Sequence, residues 1–213
     1  HCPFNRSNIP LPTHLNCLSK KIIFEDKEKR TLVTTQRVLP WQHFVMCLSD
    51  VVIPQDIPSY YFEVTCVTMG QNRDGVLSIG VYRSDKPTKV ALDLGRIPGS
   101  VGVSSDGYAC VYPTRPKETG CIWSQGDVIG CGVDRFTGSV FFTANGKFVT
   151  EIQAKLSNYH SYYAALCLSY AGARLTVNFG QQPFAYNFAK SRFVPVELGG
   201  TAPKYMEDEP SSG

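Results

Sequence analysis

Short runs in which apolar and polar residues alternate recur along the chain, and this pattern is typical of β-strands with one buried face. In the run that begins at Tyr60, the apolar residues Phe62, Val64 and Cys66 occupy every second position. Similar runs lie at 76–82 and 127–133. The sequence has no sustained helical period longer than about two turns. The pattern therefore predicts an all-β fold, an antiparallel sandwich of two sheets.

Turn signals and composition divide the chain into three parts. Residues 1–20 are rich in Pro, Asn and Ser and predict an extended lead-in, whereas 194–213 are polar and acidic and predict a flexible tail. The segment 21–193 is predicted to be one domain. Within it, Asn145-Gly146 indicates a two-residue hairpin turn, because both residue types tolerate a positive φ. The segment 83–99 lacks a periodic pattern and is predicted to be a long loop of the kind that often carries function.

Charge and cysteine usage narrow the function classes. The net charge is +3, and the basic residues are scattered, so we expect neither a nucleic-acid surface nor a nucleic-acid partner. No apolar run reaches the roughly 18 residues of a transmembrane helix, so no membrane association is expected. The chain has eight cysteines but no C-x-x-C pair, and Cys66, Cys131 and Cys167 lie within apolar runs. Such thiols behave as reduced, buried hydrophobes, which favours a cytoplasmic or nuclear location.

Candidate catalytic and metal-binding patterns are weak. The stretch 102–106 falls one residue short of G-x-S-x-G and leads into a Ser-Asp-Gly turn instead of a helix. His43 is four residues from Cys47, and His160 precedes Cys167, but Cys167 lies in an apolar strand. Histidines and carboxylates do not cluster at the spacing of metal ligands. We therefore expect no enzymatic activity, no cofactor and no bound metal.

Three groups of motifs, in this order and at this spacing, resemble the SPRY (B30.2-type) domain. They lie at 59–64 with 75–81, at 104–107 with 126–131, and at 141–146 with 177–184. The stretches G-D-V-I-G-C, F-x-x-N-G and F-G-x-x-P-F are most similar to the SPRY domain of RanBPM-type Ran-binding proteins. The resemblance covers approximately 45–190.

The resemblance implies a bent, concanavalin-like jelly roll and a non-enzymatic module that is monomeric as an isolated domain. Members of the family often serve as the substrate-recognition or scaffold part of a ubiquitin-ligase assembly. Their partner, a protein or a short peptide, commonly docks on loops at one end of the sandwich. By position, the resemblance assigns this face to Leu48, Ser49, Asp50, Val51, Asn72, Arg73, Asp74, Tyr82, Arg83, Asp85, Lys86, Tyr170 and Ala171.

Two further residues are candidates for the same face. Tyr112 and Arg115 border the irregular loop at 113–120, so either side chain can reach the partner. A Tyr at position 170 also fits an interface, because Tyr is enriched at the residues that dominate binding energy.

A lectin-like sandwich that binds carbohydrate is the alternative from a different function class. Sugar sites usually combine Asp and Asn side chains, often around calcium, with an aromatic ring on which the sugar stacks. Asn72, Asp74 and Asp85 come nearest to such a set, although the sequence shows no calcium-loop spacing.

Overall fold

The computed structural model shows two antiparallel sheets of seven strands each, packed face to face. It describes residues 10–17, 19, 21–34, 44–70, 76–83, 85, 92–157, 159–169 and 171–192. Sheet A contains, from edge to edge, β1 (Leu15–Cys17), β4 (Val45–Ser49), β13 (Tyr162–Leu168), β6 (Leu77–Arg83), β7 (Ser100–Ser104), β8 (Tyr108–Val111) and β9 (Lys117–Glu118). Sheet B contains β12 (Lys147–Gln153), β11 (Ser139–Ala144), β10 (Val128–Asp134), β5 (Ser59–Met69), β14 (Ala173–Asn178), β3 (Thr31–Thr34) and β2 (Ile22–Phe24). The predicted all-β, two-sheet antiparallel sandwich is confirmed.

The core lies between the sheets and consists of the side chains that the alternation predicted. Residues of β5, β6 and β10 at every second position are at most 2% exposed and belong to one hydrophobic cluster. Burying one Val, Leu, Ile or Phe side chain stabilises the fold by about 1.5–3 kcal/mol. These residues are Phe62, Val64, Cys66, Leu77, Ile79, Val81, Ile129, Cys131 and Val133.

The outer face of sheet A is covered by part of the segment that was predicted to be a loop. Leu94 and Ile97 pack on Tyr82 and on two small residues of β13. Gly102 makes this approach possible, because a Cβ atom there would lie 2.5 Å from the Cβ of Leu94. The backbone N–H of Leu94 also donates to the hydroxyl of Ser78 at 3.3 Å. The described part of this segment is therefore a packed cover for the sheet.

The outer face of sheet B is covered by the chain that follows β14. Phe184, Tyr186 and Phe188 surround the buried rings of Tyr61 and Phe141. Phe188 is the first residue of a short 3₁₀ helix, Phe188–Lys190. A second, aromatic core thus forms outside the sandwich.

Asp93 lies in the cover of sheet A, and its burial predicts a pH-dependent stability. The side chain is buried, and burial raises the pKa of its carboxyl to about 6, although hydrogen bonding to Ser78 and the charge of Arg96 act in the opposite direction. The unfolded chain has the ordinary pKa of about 4. Between these values the folded state binds more protons, so the free energy of unfolding falls as the pH rises.

We expect Asp93→Asn to remove this fall in the free energy of unfolding at high pH. Relative to the parent chain, the variant should gain about 2 kcal/mol of stability at pH 8 that it does not gain at pH 4. Urea unfolding of both proteins at the two pH values measures the difference. Asp56→Asn, at an exposed position, is the control, and its stability relative to the parent chain should be the same at both pH values. The same result for Asp93→Asn would refute the raised pKa of Asp93.

Candidate partner-binding surface

The sandwich has two ends, which present different loops. End I is the end at which β4, β6 and β8 finish and β5, β7 and β13 begin. The loop between β4 and β5 is attached to both sheets there: Ile53 forms a bridge with Tyr162 of β13, and the guanidinium of Arg135, which follows β10, donates to the carbonyls of Ile53 and Pro54. End II is the opposite end, at which β5 and β13 finish and β6 and β14 begin.

The structure divides the residues assigned to one binding face between these two ends. Ala171 follows β13 and lies at end II, about 20 Å along the strand from Tyr162. The prediction that Ala171 shares one end with the remaining described members is therefore wrong. Asn72, Arg73, Asp74, Lys86 and Tyr170 lie outside the described residues. End I carries Leu48, Ser49, Asp50, Val51, Tyr82, Arg83, Asp85, Tyr112 and Arg115.

Two of the residues predicted to contact a partner, Ser49 and Tyr82, are buried at end I. Ser49 is 2% exposed, and its hydroxyl donates to the carbonyl of Val51 and accepts from the N–H of Ala164. Tyr82 is 4% exposed and packs in the cluster that includes Leu94. Both side chains stabilise the fold, because the cover of sheet A and the start of the loop after β4 depend on them.

The charged residues at end I form two small clusters. The guanidinium of Arg83 donates to both carboxylate oxygens of Asp85 at 2.6 Å, and this hydrogen-bonded pairing raises the pKa of Arg83. His160 lies beside the same carboxylate, with Nδ1 at 3.9 Å from Oδ2. An exposed pair of this kind adds little to stability. Its consequence is a fixed pattern of charge at the surface.

The second cluster surrounds Asp50. The backbone N–H and the hydroxyl of Thr13 both donate to this carboxylate at 2.9 Å, and the Nδ1 of His14 is 3.3 Å from it. Partial burial acts to raise the pKa of Asp50, but the hydrogen bonds from Thr13 and His14 outweigh it and lower the pKa. The carboxylate therefore stays ionised, and it holds the segment before β1 against end I.

Two aromatic side chains at end I were missed by the sequence reasoning. Phe136, in the turn between β10 and β11, is 93% exposed, and Tyr159, between β12 and β13, is 94% exposed. The carboxylate of Asp134 accepts from the N–H of Phe136 and fixes its turn. A hydrogen bond from the N–H of Leu156 to the carbonyl of Gly138 joins the two loops at 2.9 Å. The available signal was a large aromatic residue within a polar turn.

The alternative, carbohydrate-binding arrangement gains no support from the described residues. The carboxylate of Asp85 is occupied by Arg83, and Asn72 and Asp74 lie outside the part of the chain that the structure describes. Within the described residues, no group of three or more His, Cys, Asp or Glu side chains is placed to hold a metal ion.

In the part of the chain that the structure describes, no helix is long and apolar enough to cross a bilayer.

Comparisons with known proteins identify relatives that match part of their own length. The chain is 31% identical over 144 residues to Ran-binding protein 10 of Danio rerio, covering 63% of this chain and 22% of that protein. It is 31% identical to human Ran-binding protein 9, covering 63% and 18%, and 28% identical to the Ran-binding proteins 9/10 homolog of Drosophila melanogaster, covering 86% and 19%. The chain thus spans about a fifth of the length of these curated relatives.

Solved structures and a family model agree with this similarity. A human SPRY domain superposes with a TM-score of 0.59 at 22% identity, covering 77% of this chain and 98% of that one. The SPRY domain of human HERC1 gives a TM-score of 0.58 at 14% identity, covering 79% and 100%. The family model described as "SPRY domain" matches residues 59–182, more than half of the 213 residues. The chain therefore belongs to the SPRY domain family.

Proposed function

We propose that this SPRY domain is a non-enzymatic module that binds a partner protein or peptide through the loops of end I. SPRY domains are generally protein–protein interaction modules. The observation that supports end I is the nearly complete exposure of Phe136 and Tyr159 on loops that strand ends hold in place. Exposed aromatic rings commonly act as anchors at interfaces, because they bury a large area with few rotatable bonds.

The surroundings of these rings indicate what kind of partner fits. The Arg83–Asp85 pair with His160 and the cluster at Asp50 supply polar, charged groups at the same end. An interface typically has an apolar centre and a polar rim. The expected partner segment therefore offers apolar side chains to Phe136 and Tyr159, with hydrogen-bonding groups on either side.

The test replaces both rings. The double variant Phe136→Ser, Tyr159→Ser should bind a defined partner at least about tenfold more weakly, because anchor residues contribute most of the binding energy. Its free energy of unfolding should change by less than about 0.5 kcal/mol, since both side chains are exposed. Affinity capture identifies the partner, and titration calorimetry with the purified partner then measures the affinity.

A matched control is available at the other end of the sandwich. Ile122 is an apolar residue that is 72% exposed near the turn into β10, at end II. Ile122→Ser should leave binding unchanged. Tyr170→Ala tests the position that the family resemblance assigned. Loss of binding in Tyr170→Ala or Ile122→Ser, with full binding in the double variant, would reject end I.

We infer further that the module is the substrate-recognition or scaffold part of a ubiquitin-ligase assembly in the cytoplasm or nucleus. The support is the resemblance to SPRY domains, among which this role is frequent. The test is ubiquitination of the identified partner in cells that express the whole protein. Ubiquitination should fall with the Phe136→Ser, Tyr159→Ser variant and stay unchanged with Ile122→Ser. Equal ubiquitination in both would contradict the ligase role.

A further inference from the structure

Two cysteines face each other across the edge of sheet A. In the pairing of β1 with β4, Cys17 lies directly opposite Cys47. The N–H of Asp50 donates to the carbonyl of His14 at 3.0 Å, which makes 14 and 50 a hydrogen-bonded pair. Hydrogen-bonded and non-hydrogen-bonded pairs alternate along an antiparallel ladder. Counting from 14 and 50, the pair of Cys17 and Cys47 is a non-hydrogen-bonded one.

This position has the geometry that a disulfide needs. In a non-hydrogen-bonded pair the Cα atoms are about 4.5 Å apart and the side chains lie on the same face. Disulfides join residues whose Cα atoms are about 4.4–6.8 Å apart. Both cysteines are free thiols, and Cys17 packs against the hydrophobic cluster that contains Cys47, with its own thiol donating to the carbonyl of Met46 at 3.5 Å. The bond can therefore form without rearrangement of the strands.

The two thiols differ in access and acidity. Cys17 is half-buried at the edge of the sheet, whereas Cys47 is 0% exposed. The hydrogen bond from Cys47 lowers the pKa of Cys17, and the same contact, with burial, raises the pKa of Cys47. The thiolate is the reactive form of a cysteine, so Cys17 is the nucleophile of the pair.

Other described cysteines lack this combination. Burial raises the pKa of Cys66 to about 12, and it also raises the pKa of Cys131 and of Cys167. Cys121 is half-buried like Cys17, but its pKa is raised by burial. Cys121 is thus the control for a half-buried thiol whose pKa is not lowered.

We propose that Cys17 and Cys47 are an oxidative modification site at which a peroxide forms a reversible disulfide between β1 and β4. Hydrogen peroxide oxidises the Cys17 thiol to a sulfenic acid and is reduced to water. The sulfur of Cys47 then attacks the Cys17 sulfur, and the sulfenic oxygen leaves as a second water with the Cys47 proton. Two thiols and one peroxide thus give one disulfide and two waters.

The disulfide has a structural consequence at end I. β1 is a three-residue edge strand, and the residues before it bind Asp50. A covalent link at Cys17 fixes this strand to sheet A, and the reduced form leaves it held by noncovalent bonds alone. This proposal is independent of the partner-binding role and can fail without affecting it.

The test is exposure of the 213-residue chain to an equimolar amount of hydrogen peroxide. We expect the intact mass to fall by two hydrogen atoms and peptide mapping to give a cross-linked Cys17–Cys47 peptide, both reversed by dithiothreitol. The midpoint of thermal unfolding should rise by about 5–10 °C in the oxidised protein, because the link constrains the unfolded chain.

Three variants make the result decisive. Cys17→Ser changes a half-buried side chain and should abolish both the mass change and the shift of the midpoint. Cys47→Ala should leave a Cys17 sulfenic acid that dimedone traps, and Cys121→Ser should behave like the parent chain. A cross-link to Cys2, a persistent sulfenic acid at Cys17 while Cys47 is present, or an unchanged mass would overturn the proposal.

Discussion

Glu63→Ala is expected to lower the free energy of unfolding by about 4 kcal/mol, because the removed carboxylate accepts three hydrogen bonds, one from a buried hydroxyl and two from part-buried N–H groups. Glu63 is 3% exposed on the outer face of β5. Its Oε1 accepts from the hydroxyl of Tyr61 and from the N–H of Tyr186, and its Oε2 accepts from the N–H of Ala185, each at 2.9 Å. This side chain is therefore the anchor by which the segment after β14 is attached to sheet B.

The expected effect is local as well as global. Without the carboxylate, the N–H groups of Ala185 and Tyr186 have no acceptor, so they should exchange with solvent well before the core strands do. Urea unfolding measures the loss of stability, and hydrogen exchange measures the detachment of the segment.

Two matched variants separate hydrogen bonding from charge. Glu63→Gln keeps an acceptor but replaces one oxygen with a donor that faces an N–H group, so the loss should be roughly half as large. Glu28→Ala removes an exposed carboxylate from the β2–β3 hairpin and should cost less than about 0.5 kcal/mol. Unchanged exchange at Ala185 and Tyr186 in Glu63→Ala would rule out the anchoring role.

Features that depend on residues close together in the sequence could be predicted from it. The Asn145-Gly146 hairpin is confirmed: Ala144 pairs with Lys147, and φ is 50° at Asn145 and 77° at Gly146. The apolar side chains at alternating positions of the strands likewise form the core. Both results follow from local rules, because strand period and turn geometry act over a few residues.

The burial of the outer faces of the sheets could not be predicted in this way. Alternation identifies one buried face of each strand, and it gives no prediction for Tyr82, at a position of opposite phase, which the family resemblance assigned to the partner-binding face. It is buried because Leu94, which packs on it, reaches the sheet over Gly102, a contact between residues that are remote along the chain. The end of the sandwich at which Ala171 lies also depends on contacts between remote residues, because the pairing of β13 with β6 sets the direction of the strand that precedes it.

Gly132→Ala tests such a remote contact and is expected to cost about 3 kcal/mol, although Ala is ordinarily preferred to Gly in a strand. Gly132 pairs with Phe141 across β10 and β11, and the Phe141 ring lies over the glycine. A Cβ atom at 132 would be 2.0 Å from Cζ and 2.1 Å from Cε1 of that ring. The ring cannot move away freely, because Phe141 is 0% exposed and packs against Tyr61, Tyr186 and Phe188.

The reason for the loss can be isolated with a double-mutant cycle. Phe141→Ala alone should cost about 3–4 kcal/mol, since it leaves a cavity in the aromatic core. In that background, Gly132→Ala no longer meets the ring, and it should be neutral or stabilising by up to about 1 kcal/mol, because Ala loses less backbone entropy than Gly on folding. Urea unfolding of the four proteins gives the coupling energy. Additive losses would show that the ring is not what excludes a side chain at 132; a strong coupling would show that β10 carries a glycine there to admit Phe141.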